Sequence, residues 1–175
     1  AAERIDRLRA VAHERHDRWG ETLLAFYAIG GPAWPIEPTQ LAQLESWIAV
    51  VQGNPKAPLL FQGIALSAAA HVQLRRGEPA RAQALAQASL DSLHIMATRS
   101  AAARVVLSQA QLALGDAAAA CQVAEAGLAL LAQARAQGGD ELPLRLCRLQ
   151  ALQVLSAHDE LAAEARRAHA ALWLR

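Results

Sequence analysis

The 175 residues suit a single domain and are enough to bury a core. Alanine supplies roughly a quarter of them and aromatic residues only 4%, so strong helix formers dominate and the chain reads as all-α. A formal net charge of +1 gives no global field toward nucleic acid or an anionic membrane, and neither is an expected partner.

From Ala2 to about Ile29, apolar residues Ile5, Leu8, Ala12, Trp19, Leu23 and Phe26 recur every three or four positions with charges between them. This spacing predicts one long amphipathic helix, bent if anywhere at Gly20. Three prolines and two glycines between Gly30 and Pro38 cannot continue it and predict a stiff loop carrying Trp34, which either plugs the first hairpin or faces a partner. A second helix opens near Pro38 or Thr39 and ends at Gly53-Asn54-Pro55. A third starts near Pro58 and reaches Arg76, and Gly77-Glu78-Pro79 turns it tightly into a fourth over 80–96. A fifth helix over 99–114, the Gly115-Asp116 turn with Asp116 as N-cap, and a sixth over 117–136 follow the same logic. After Gln137-Gly138-Gly139-Asp140, a seventh carries Leu144, Cys147 and Ala151 on one face, and Asp159 is expected to cap an eighth. Helices joined by such short links pack antiparallel.

One pattern recurs: a small residue, a turn seven positions later, an alanine five beyond that, and a leucine three before the turn. It reads Ala70/Leu74/Gly77/Ala82, Ser108/Leu112/Gly115/Ala120 and Ala151/Leu155/His158/Ala163. Paired helices approach closely only where side chains are small, and each pair buries its apolar faces only against a neighbouring pair, so recurrence predicts stacked hairpins.

At Leu74-Arg75-Arg76-Gly77-Glu78 with Ala82, and at Leu112-Ala113-Leu114-Gly115-Asp116 with Ala120, the chain resembles tetratricopeptide repeats, helical hairpins of about 34 residues. They are similar here to the longer form found in the C-terminal regions of large bacterial signalling proteins. The resemblance implies a right-handed superhelical stack of about four hairpins, at 1–52 (degenerate), 58–97, 98–137 and 142–175, in one domain. The segments 139–146 and 159–163 are similar to arrays that follow serine/threonine-kinase or ATPase modules, which implies an upstream catalytic or DNA-binding module; the chain is expected to be a piece of a larger protein, and its two reduced cysteines suit a cytoplasmic one. The sequence departs from the family at Leu66, Arg104 and Cys147, where an early bulky residue is usual, at His94 in place of proline, and at His158 in place of the turn glycine.

In such a stack the first helix of each hairpin lines the concave side. Carried over residue by residue, the groove positions are Ile64, Ser67, His71 and Arg75; Ala102, Val105 and Gln109; and Arg145, Arg148 and Leu152. The resemblance implies that these bind a peptide or a partner domain. Arg145 and Arg148 lie three apart on one helix and either stay solvated or hold a carboxylate by paired hydrogen bonds. Two other readings remain: a small-molecule effector site among Ile64, His71, Val105 and Leu152, and self-association through the first helix or an apolar end near Trp173.

No catalytic group and no cofactor is expected. His13-Glu14-Arg15-His16 spaces its histidines three apart where zinc proteases need four. His13 and Asp17 share a face but are only two ligands. Gly30-Gly31-Pro32 lacks the lysine and hydroxyl of a phosphate loop. Cys121 and Cys147, in apolar helical segments without metal or redox spacing, read as buried thiols.

Overall fold

The computed structural model describes residues 2–17, 19–22, 24, 38–94, 96–134 and 141–173. Within them the ordered elements are helices: α1 (Ala2–Glu14), α2 (Pro38–Gln52), α3 (Leu59–Arg75), α4 (Pro79–Ser92), α5 (Ala97–Ala113), α6 (Ala117–Gln133), α7 (Glu141–Val154) and α8 (His158–Trp173). The predicted loop and Trp34 lie outside the described residues.

The first helix is not continuous to Ile29. It ends at Glu14, His16 takes a left-handed φ of 53°, and residues 19–22 are helical again. The cause is Asp17, whose Oδ1 accepts from the Gly20 amide at 2.8 Å and so caps the restart. Gly20 permits this fold-back, because a Cβ there would meet the Asp17 carboxylate at 2.4 Å. Trp47 of α2 donates its indole N–H to the Thr22 carbonyl at 2.7 Å, and Trp19 stacks at a tilt on Phe61 of α3 with ring centroids 4.8 Å apart.

Two turns form as glycine dictates. Gly77 and Gly115 take φ of 78° and 85°, which costs glycine nothing. In each turn two amides reach back to the helix just ended: Gly77 to Leu74 at 3.1 Å and Glu78 to Gln73 at 3.0 Å, then Gly115 to Leu112 at 3.0 Å and Asp116 to Gln111 at 2.9 Å. This is the Schellman closure. Asp116 then caps α6, accepting from the Ala119 amide at 3.0 Å.

The third turn lies earlier than the repeat pattern places it. Ser156, not His158, takes the left-handed position with φ of 55°, and Ala157 bonds back to Leu152 at 3.1 Å. His158 opens α8, and Asp159 sits inside its first turn, where its charge suits the positive helix end instead of capping it. The left-handed residue therefore stands two positions before the one the repeat pattern assigns to the turn.

Each helix from α2 onward packs on the next in the chain, and in addition α3 lies against α5 and α5 against α7. No comparably broad packing joins α4 to α6 or α6 to α8 among the described residues. The first helices of successive hairpins are therefore the closer neighbours. The crossings fall on small residues: Ala70, Ala82, Ser108, Ala120 and Ala151 are fully buried. Apolar clusters follow in chain order, from Leu44, Trp47 and Phe61, through Ala70, Ala86 and Leu107 and Val105, Leu131 and Leu144, to Cys121, Ala151 and Leu152. Each ties one hairpin to its neighbour, as a linear array requires.

Candidate functional site on the first helices of the hairpins

Hydroxyls inside the hairpins set how closely the first helices approach their partners. Ser89 Oγ donates to the Gly63 carbonyl at 2.7 Å, and Ser108 Oγ donates to the Ala120 carbonyl at 2.9 Å. Both serines are fully buried, and both reach backbone carbonyls across the hairpin, so they fix helix spacing and are not poised for nucleophilic chemistry.

The positions picked from sequence separate into three groups. Ile64, Val105 and Leu152 are buried and belong to interhelix clusters. His71 is buried as well; burial, with the Arg75 charge adding to it, pushes its pKa down to about 4, so the imidazole is neutral at pH 7. Ser67, Ala102 and Gln109 keep partial exposure, and Arg75 is exposed.

Arg145 and Arg148 form the third group and sit in an ion cluster. Glu164 of α8, 1% exposed, accepts from Arg145 Nη1 at 2.7 Å, from Arg148 Nη1, and from Arg167 Nε at 3.0 Å. Arg145 also meets Glu141 one turn before it at 3.0 Å. Arg148 reaches Glu125 of α6 at 2.8 Å and Glu160 at 3.7 Å. Burial alone would raise the Glu164 pKa, but the hydrogen bonds from the three arginines outweigh it and hold the carboxyl below the ordinary range. Arg145 and Arg148, which burial would push down, are instead held above the ordinary arginine value by their glutamates. The basic pair is thus neither solvated nor open to an incoming carboxylate, since the chain supplies the carboxylates itself.

Sequence reasoning missed Glu164. The Glu141-Arg145 spacing of four was legible as a helix pair, but Glu164 lies on another helix and no local rule connects it. Missed also were Gly63 and Gly127, where a Cβ would meet Leu93 at 2.5 Å and Leu144 at 2.9 Å.

Cys121 and Cys147 are free and buried. Burial pushes Cys147 up to about 11, and its thiol donates to the Val105 carbonyl at 3.8 Å. Burial also raises Cys121, together with the nearby Glu125 charge. Both are held as thiols, the less nucleophilic form. His13 Nδ1 pairs with Glu21 Oε1 at 2.8 Å while Asp17 serves its cap, so the structure does not bring those two residues together on a metal. Among the described residues no three His, Cys, Asp or Glu side chains gather as a metal site, and no helix is long and apolar enough to cross a membrane. No protein-family model, no curated protein and no solved structure matches the chain.

Proposed function

We propose that this chain is a non-catalytic interaction module, a right-handed tetratricopeptide-like stack whose concave side, formed by α3, α5 and α7, receives a peptide or partner domain. The observation that carries this reading is the packing order. First helices contact one another across hairpins while second helices do so less, which supports a stack curved toward its first helices. On that side Ser67, Ala102 and Gln109, with Arg75 at the turn, remain at least partly exposed and form the contact surface. Ile64, His71, Val105 and Leu152 support it from beneath.

The surface is made of small and uncharged polar side chains over most of its length. Such a lining suits an extended or helical segment held by shape and backbone hydrogen bonds more than by charge. In this reading the chain is an arm of a larger bacterial regulator, and its partner is a protein or another domain of the same polypeptide.

The test is partner capture with charge placed on one side at a time. Ala102→Glu with Gln109→Glu alters the concave side, and Ala84→Glu with Gln122→Glu alters exposed positions on the second helices. Loss of captured protein with the first pair and retention with the second supports the reading. Retention with the first pair contradicts it.

A further inference from the structure

The third hairpin is built differently from the others at its turn and at its interface. Gly77 and Gly115 supply the left-handed residue of the first two turns, but Ser156 supplies the third at φ 55°, a region disfavoured for any side chain with a Cβ. From Leu144 to Trp173 the chain contains neither glycine nor proline. Nothing in the linker Leu155-Ser156-Ala157 therefore opposes a continuous helix, and straightening it would join α7 and α8 into one rod.

The helix beyond that turn is held to its neighbour in large part by ion pairs. Its broad packing is with α7 alone among the described helices. Leu161 rests on the cluster of Cys121, Ala151 and Leu152, Ala168 is buried, and between them in sequence Glu164 is clamped by Arg145 and Arg148. Asp159, Arg166 and His169 are exposed, and Glu160, exposed as well, meets Arg148 only at the rim at 3.7 Å. The seat that α8 occupies thus asks for an apolar residue, an acid three positions later and a small residue four beyond that. Glu125 and Glu141 stay with the seat and already offset part of its positive charge, so it suits a helix with a single inward carboxylate.

We propose that α8 is exchanged between two copies of this chain, each copy's Glu164 seating between Arg145 and Arg148 of the other. A second copy meets the seat's requirements by identity of sequence. The exchanged dimer remakes every contact of the closed third hairpin, discards the left-handed Ser156 turn and extends the helix through residues 155–157. Opposing it is the entropy of association, so exchange rises with concentration.

The experiment uses two full-length variants, each unable to close on itself or on its own kind. One carries Glu164→Arg, the other Arg145→Glu with Arg148→Glu. Mixed, each seat finds a matching helix on the other chain. Light scattering after chromatography is expected to give near 18.6 kDa for each alone and twice that for the mixture, with a higher Tm. A mixture that stays at monomer mass overturns the proposal. Should the charge-reversed chains fail to fold alone and together, Ser156→Ala in the otherwise unaltered chain decides. Alanine resists the left-handed turn and favours helix, so a dimer fraction several-fold above the unaltered protein at equal concentration supports exchange, and an unchanged fraction overturns it.

Discussion

Leu93 packs its side chain against the bare Cα of Gly63, so closely that a Cβ at Gly63 would lie 2.5 Å from Leu93 Cγ. Leu93 is fully buried at the end of α4, and the Ser89 hydroxyl holds the Gly63 carbonyl one turn earlier. Together they set the spacing of the first full hairpin.

Gly63→Ala therefore forces the helices apart. Overpacking of this kind costs about 1–3 kcal/mol, partly offset by about 1 kcal/mol of helix propensity, leaving a net loss of up to roughly 2 kcal/mol in urea unfolding. Leu93→Ala alone costs about 2–5 kcal/mol. Added to it, Gly63→Ala is expected to be neutral or stabilising, because the clash is gone. An equal loss in both backgrounds would contradict the contact.

His71 gives the protein an acid-sensitive window above the carboxylate range. Its folded pKa lies at about 4, against about 6.5 in an unfolded chain. Between those values the unfolded chain binds a proton that the folded chain refuses, so stability is complete above about pH 6.5 and is lost as the pH falls toward 4. The full loss is on the order of 3 kcal/mol. His71→Gln is expected to flatten this part of a Tm-against-pH curve. A curve of unchanged slope would show that His71 is not its source.

Glu164 acts in a lower window and with its own signature. Glu164→Gln leaves Arg145 and Arg148 partly buried beside a neutral amide and is expected to cost about 2–4 kcal/mol at pH 7. Because its folded pKa is lowered, the carboxylate's contribution is present above the unfolded value of about 4.3 and disappears as the pH falls through the lowered one. The two proteins should thus converge in stability in acid. A gap that does not narrow at all as the pH falls below about 4 would mean that the loss is one of packing and not of charge.

Placing glycine at the third turn separates Ser156 from His158. Ser156→Gly removes the left-handed penalty and is expected to stabilise by about 0.5–1 kcal/mol, read as a rise in Tm. His158→Gly falls in the first turn of α8 and is expected to bring no gain. Stabilisation at 158 but not 156 would restore the register that the repeat pattern suggested.

These residues also show where sequence sufficed. Gly77, Gly115 and Asp116 carry their conformations in their chemistry, so two turns and a cap were legible, as were the small residues at Ala70, Ser108 and Ala120 that let helices cross. The third turn was misplaced because Ser156, an exposed residue with no intrinsic preference for the left-handed region, gives no signal of the turn it makes. Asp17 broke the first helix for a related reason: a cap competes with helix continuation, and apolar periodicity does not register it. The first-helix positions were read in a register that mixes supporting residues such as Val105 and Leu152 with partly exposed ones such as Gln109, because helical period gives an angle but not what lies opposite. Arg145 and Arg148 looked open only because their partner Glu164 is remote in sequence.

The most direct test of a concave binding side is photo-crosslinking from Gln109 on α5 and, as control, from Gln122 on the outward face of α6. A benzophenone side chain placed at each position of the full chain is irradiated in extract of the source organism, and cross-linked bands are sized. A protein adduct from position 109 with none of the same size from 122 is the predicted result. Adducts from 122 alone, or equally from both, would contradict the assignment of the binding surface to the first helices.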